Sequence, residues 1–212
     1  MPRPRFDRLD PAKKTLILQT AARQFAAHGF HDASLNQILG SAGISKGAAY
    51  YYFDDKADLF ATVIDRYIDE TLFGPGEELM REATARTFWP RVERIYRAMI
   101  EHTVHEPWLL ALWRAVWKLP VELRTSGPLA RSFDRVREWS RVLLIRGRAL
   151  GVVRADLPDD LLVALMFAMD EAADRWLADH WDELGPQGLE ATMLMSVDLL
   201  KRLLEPPRKA RK

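Results

Sequence analysis

The sequence predicts an all-α fold, an N-terminal three-helix helix-turn-helix domain joined to a larger helical ligand-binding and dimerisation domain. Apolar residues recur every three to four positions through nearly every segment, as a helix with one buried face requires. No stretch alternates apolar and polar residues in the way a half-buried strand does. Prolines and glycines separate many of the periodic runs, where they punctuate helices. With 212 residues, 48% hydrophobic and 29% charged, the chain has the composition of a folded globular protein.

Asp10-Pro11 reads as a helix start, a capping carboxylate followed by proline at the first helical position. Ile17, Ala21 and Phe25 then give an apolar face, and Gly29 ends the helix. Ser34 is placed to cap a second, short helix carrying Leu35, Ile38 and Leu39, which closes near Gly43. Ser45 is placed to cap a third, running to about Tyr52. Asp55 caps a fourth, whose face of Leu59, Phe60, Val63, Ile64 and Tyr67 continues to about Phe73. Gly74-Pro75-Gly76 is expected to interrupt the pattern and mark a boundary. Beyond it lie amphipathic runs near 84–105, 107–119, 128–150, 159–183 and 187–204, with breaks at Pro107, Pro120, Gly127-Pro128, Gly151, Pro158 and Gly185-Pro186. The closing PPRKARK reads as a frayed basic end.

Composition narrows the function classes. Cysteine is absent, so disulfides and thiolate chemistry are excluded. No apolar run is long enough to cross a bilayer, and MPRPRFDRLD lacks the apolar centre of a signal peptide. A cytoplasmic location is expected. The net charge is only +1, yet residues 1–56 hold eight Lys and Arg against five Asp, an excess that permits a nucleic-acid face.

Residues 45–60, SKGAAYYYFDDKADLF, set three tyrosines and a phenylalanine between charged segments. The second and third helices are separated by Gly43-Ile44, the short glycine-containing link of a helix-turn-helix, which lays its second helix in the major groove. Successive residues on a helix are about 100° apart, so three consecutive rings cannot all be buried. Phe53 is assigned to the core and Tyr50 and Tyr51 to the outer face, with Tyr52 between. The alternative is a patch in which the whole run closes the third helix onto its neighbours.

FHDASLNQILGSAGISKGAAYYYFDDKADLF, together with the preceding AARQFAAHGF, resembles the DNA-binding segment of the TetR-type transcriptional regulators. The likeness covers about residues 10–60. It implies a ligand-responsive regulator, expected to repress, that binds a palindromic double-stranded DNA operator as a homodimer and senses a small-molecule effector. It implies DNA contacts from Ser34, Asn36, Lys46, Gly47, Ala48, Tyr50, Tyr51, Tyr52 and Lys56, with Ser34, Tyr52 and Lys56 on phosphates. Ala48 departs from the family pattern by lacking a hydroxyl. Leu39 is large and Ala49 small where the family has the reverse, an exchange expected to compensate in volume. Asp54 replaces a basic or neutral residue. The division expected is residues 1–55 for DNA and 56–212 for ligand and dimerisation, with no cofactor and no membrane partner.

Other motifs compete. GISKG, residues 43–47, fits the G-x-S-x-G nucleophile elbow, but that motif needs a strand before Ser45. His102 and His105, with Glu101 and Glu106, offer two metal-ligand histidines where a site needs three or four ligands. Neither supports an enzyme, and no catalytic or metal residue is assigned; a helical adaptor without DNA binding is the remaining alternative. Phe88, Tyr96, Met99, His102, Trp108, Trp113, Trp117, Met166, Met169 and Asp170 are candidates to line an effector pocket, which is typically apolar with a few orienting polar groups. Each large ring is also an ordinary core residue. Ala164, Ala168 and Ala172 repeat every four residues beside Leu165 and Trp176, and Leu194, Val197, Leu200 and Leu204 follow in the last helix. Both sets are read as a dimer face, or else as an intramolecular helix pair.

Overall fold

In the computed structural model, residues 2–106 and 108–207 are described, except for the side chains of Lys46, Gly47, Ala49 and Pro186. Pro107 and the basic tail from Arg208 onward, expected as a helix break and a frayed end, lie outside the described residues. Every regular element among the described residues is helical. In chain order they are α1 (Pro4–Asp7), α2 (Pro11–Asp32), α3 (Leu35–Ser41), α4 (Lys46–Tyr52), α5 (Lys56–Ile68), α6 (Gly74–Arg81), α7 (Phe88–His105), α8 (Trp108–Trp117), α9 (Val121–Thr125), α10 (Gly127–Ala149) and α11 (Asp159–Leu204). A π-helical turn, Asp69–Phe73, links α5 to α6.

The helix starts follow from side-chain chemistry. Asp10 accepts from the Ala12 and Lys13 amides at 2.9 and 3.3 Å, Ser34 from Gln37 at 3.4 Å, and Asp55 from Asp58 at 2.8 Å. Each bond satisfies an amide that a helix end otherwise leaves without a partner. Gly29 and Gly185, with φ of 71° and 62°, break the helical path inside α2 and α11. Such left-handed backbone favours glycine, which has no Cβ to clash. Gly74-Pro75-Gly76 does not interrupt the helices but opens α6. Proline fits the first turn of a helix, where its missing N–H costs nothing.

Two compact units divide the chain: Met1–Asp69 with His105–Asp134, and Glu70–Val104 with Arg135–Lys212. The segment 1–55 lies wholly within the first.

In the first unit α2 is the axis, packed against α3, α5 and α8. Its core holds Ile17, Ala21 and Phe25 with Ile38, Leu39, Phe53, Leu59, Phe60 and Ile64, all buried. Phe25 meets Phe60 edge-on at 4.7 Å, and Phe30 meets Phe60 at 5.3 Å, a favoured aromatic geometry. Leu39 is fully packed; Ala49, its expected counterpart in volume, has a side chain outside the described set.

The second unit has its own apolar cluster. Phe88, Trp89, Val92 and Ile95 of α7 pack with Leu144, Leu162, Val163, Met166, Val197, Leu200 and Leu204. The link from α10 to α11 is tied by arginines. Arg148 donates to the Arg154 and Leu157 carbonyls at 2.8 and 2.7 Å and pairs with Asp159. The Arg154 amide closes onto the Leu204 carbonyl at 2.7 Å, satisfying a helix C-terminus.

Candidate nucleic-acid interface

The turn between α3 and α4 is set by local chemistry. Gly43 has φ of +69°, and the Ile44 amide returns to the Leu39 carbonyl at 2.8 Å while its side chain is buried. Lys13 reaches across from α2 and donates to the Ala42 carbonyl at 2.7 Å, closing the end of α3 against the axis. The result is two short helices joined by a four-residue turn, with the second presented at the surface of the unit.

Along the end of α4 the aromatic run splits by direction. Phe53 is completely buried, Tyr52 is half-buried, and Tyr50 and Tyr51 are 52% and 47% exposed. This is the division expected from helical periodicity. About half of each outer tyrosine is open to water and so accessible to a partner.

Residues 2–9, read from the sequence only as too polar for a signal peptide, form part of this surface. Phe6 is 4% exposed and sits 4.9 Å from Phe53 and 6.4 Å from Tyr52 between ring centroids. The Arg3 amide donates to the Tyr52 carbonyl at 2.8 Å, and its guanidinium pairs with Asp54 at 2.7 Å. The Arg5 guanidinium lies 3.8 Å from the centre of the Tyr51 ring, within cation–π range. Sequence reasoning missed this docking; the available signal was Phe6, an aromatic ring among arginines, prolines and aspartates.

The other candidates are placed as follows. Ser34 caps α3, Asn36 is exposed on that helix, and Ala48 is partly exposed on α4. Lys46 and Gly47 open α4, with side chains outside the described residues. Lys56, for which the family resemblance implied a phosphate, donates to the His31 and Ala33 carbonyls at 2.7 and 3.0 Å and lies over the Phe30 ring. Two of its three N–H donors thus close the end of α2.

The ten residues read as pocket lining are divided between the units. Phe88, Tyr96, Met99, Met166 and Met169 come together in the second unit's apolar cluster, with Asp170 hydrogen-bonded to Tyr96 and His102 half-buried on the same helix as Tyr96. Trp108, Trp113 and Trp117 belong to the first unit, where Trp108 packs edge-on to Tyr67 and Trp117 stacks on Phe133. The Tyr96 hydroxyl is 3.1 Å from both Asp170 carboxylate oxygens. Desolvation raises the Asp170 carboxyl to about 6, opposed by the Tyr96 bond. Asp174, one turn on, is raised to about 7 by desolvation and by the neighbouring charges of Asp170 and Glu171. The same desolvation, with Asp170 next, raises the Tyr96 phenol. Asp174 is nevertheless exposed, so water screens its carboxylate more than that of the half-buried Asp170.

The apolar residues of α11 are also sorted by the fold. Ala164, Leu165, Ala168, Ala172 and Trp176 are exposed and Leu194 is half-buried. Val197, Leu200 and Leu204 instead point into the second unit's own core and are not available to a partner. Periodicity marked their stripe correctly but not its recipient. The exposed apolar residues at this end of α11 are Met195 and Leu199. No three His, Asp or Glu side chains converge into a metal site among the described residues, near His102 and His105 or elsewhere. Ser45 follows a helix, not a strand, so GISKG lacks the context of a nucleophile elbow.

A capped helix, a glycine turn and a second helix presenting aromatic rings to solvent define a helix-turn-helix protein. The sequence profile of "Bacterial regulatory proteins, tetR family" matches residues 17–63. The HTH-type transcriptional repressor AcnR of Corynebacterium diphtheriae is 32% identical over 157 residues, covering 69% of this chain and 70% of that one. A shorter match, 39% identical over 59 residues, joins 28% of this chain to the HTH-type regulator YuxN of Bacillus subtilis, of whose length it spans 20%. Among solved structures, the regulator FadR from Bacillus subtilis in complex with stearoyl-CoA superposes with a TM-score of 0.71 at 18% identity, over 88% of this chain and 96% of that one. The chain belongs to the TetR family of transcriptional regulators.

Proposed function

We propose that this regulator binds a palindromic operator as a homodimer, represses transcription from it, and releases it when a small-molecule effector binds. The observation that carries the reading is the exposure of Tyr50 and Tyr51 on α4 while Phe53 of the same run is buried. Residues 1–55 would contact DNA, with Ser34, Asn36, Lys46, Gly47, Ala48, Tyr50, Tyr51 and Tyr52 at or beside the groove and Lys56 at its margin. Residues 56–212 would hold effector and dimer functions. The apolar wall of Phe88, Met99, Met166 and Met169, with the Tyr96–Asp170 pair as its polar group, suits an apolar effector carrying one hydrogen-bonding group. The exposed alanines of α11, with Leu165 and Trp176, support a second copy as partner, since small residues allow close helix approach and exposed apolar patches mark interfaces.

Selection of duplexes from a random pool tests the reading. The expected winner is a palindrome whose half-site centres lie about 34–36 Å apart, one helical turn. Affinity should fall steeply with salt, and effector should lower it by its differential affinity for the free and bound conformations. A non-palindromic winner would remove the dimer, and salt-independent binding would remove the DNA interface. Transcription from a reporter carrying the selected site should rise when the gene for this protein is deleted.

A further inference from the structure

We propose that Arg5 and Arg8 of the leading segment form a second DNA contact, a clamp on the phosphodiester backbone beside the recognition helix; this rests on the DNA-binding reading above. Arg3, Pro4, Arg5, Arg8 and Tyr51 line one cleft of about 390 Å³. The cleft is larger than a lone phosphate ion needs. One of its walls is Tyr51, an outward-facing ring of α4, so whatever lies against α4 lies against the cleft.

The segment is held in place rather than trailing. Phe6 is its buried anchor, the Arg3 amide closes the end of α4 at the Tyr52 carbonyl, and Arg3 is neutralised by Asp54. Arg5 and Arg8 remain as the exposed cations of the cleft. Arg5 lies over the Tyr51 ring with its Cζ 3.8 Å from the centroid, and a guanidinium held on an aromatic face can still offer its fork of N–H donors to phosphate oxygens. Because the stacking is formed without DNA, little conformational entropy is lost when the contact is made. Asp7 is the acidic residue of this segment; its carbonyl accepts from Lys14 at 2.5 Å.

Counterion release gives the test a number. Each neutralised phosphate contributes about 0.9 to the slope of log K against log salt, so replacing both arginines should flatten the slope by about 1.8 per bound protomer. Between about 50 and 200 mM salt the full-length parent should lose about 12-fold more affinity per protomer than Arg5→Ala/Arg8→Ala. Both proteins should prefer the same operator sequence, because phosphate contacts position without specifying. Arg8→Ala alone, at an exposed side chain, should flatten the slope by about 0.9 and leave thermal unfolding unchanged, which keeps the test valid if the double variant folds poorly. Equal slopes for parent and variants, with the parent binding DNA salt-dependently, would overturn this inference and leave the main reading intact. A parent that binds no duplex would overturn both. Competition separates backbone from free anion: inorganic phosphate should displace DNA no better than chloride at matched ionic strength. Stronger displacement by phosphate would make the cleft a free-anion site.

Discussion

The helix-turn-helix end and the α7–α11 region use the same residue types in opposite ways. At the former, Asp10 and Asp55 lie at the surface and cap helices, Asp58 is buried and accepts from the Asp54 amide, and Tyr50 and Tyr51 face water. In the latter, Phe88 and Trp89 are buried, and desolvation raises the carboxyl of the half-buried Asp170 to about 6. A carboxylate beside free amides is a structural cap; one surrounded by apolar residues is a cost to the fold unless a partner or ligand compensates it. The contrast agrees with the proposed function, in which one unit meets DNA and the other an effector.

The contrast is sharpest within the aromatic run. Phe53→Ala removes a fully buried ring and should cost about 3–5 kcal/mol in denaturant unfolding. Tyr51→Ala, at an exposed site, should cost about 0.5 kcal/mol or less yet weaken operator binding. Equal destabilisation by the two would place Tyr51 in the core and remove the distinction.

A glycine in the second unit gives the next effect. Gly147 sits inside α10, where alanine normally adds about 1 kcal/mol of helix stability. Here a Cβ would collide with the buried side chains of Val153 and Phe88. Overpacking of this kind costs about 1–3 kcal/mol, so Gly147→Ala should be neutral to destabilising while DNA affinity of the folded protein is retained. A melting point that rises by several degrees would show that α10 is loosely packed there.

Loss of a cap is smaller. Ser34→Ala should lower stability by about 0.5–2 kcal/mol, toward the lower end because the bond to Gln37 is long at 3.4 Å. An unchanged unfolding midpoint, together with weaker DNA binding, would shift the role of Ser34 from the cap to phosphate.

The smallest effect depends on pH. Asp170 and Asp174 are raised on folding, so the folded protein binds more protons than the unfolded chain between about pH 4 and 7. Stability therefore falls as pH rises through that window, and the penalty is complete above it. Asp174→Asn should melt above the parent at pH 8 and converge with it near pH 4. Because Asp174 is exposed, screening makes the gain small. A difference independent of pH would remove desolvation as its cause.

Much of the first unit was legible because its signals are local. Asp10-Pro11, Ser34, Gly43 and Asp55 act on backbone within a few residues of themselves, and each does what its residue type predicts. The order of burial from Tyr50 to Phe53 follows from 100° per residue alone. What was missed depended on distant partners. Phe6 has no helical repeat around it, and its burial exists only because Phe53, 47 positions later, lies where it docks. Lys56 is a cation in sequence but closes two carbonyls at the end of α2 in space. Val197, Leu200 and Leu204 carried the stripe of an interface, and packing directed it inward.

By itself, then, the sequence determined the long helices, the caps at Asp10, Ser34 and Asp55, and the side of those helices that avoids water, since these depend on neighbours three or four residues away; the short α1, α6 and α9 did not show in its periodicity. Only the tertiary structure decided what each side meets: Tyr96 with Asp170, 74 positions apart, Arg3 with the end of α4, and the three tryptophans with the first unit rather than with Phe88. Periodicity specifies a face, whereas its partner is selected by the packing of all helices together, where shape and desolvation outweigh local preference.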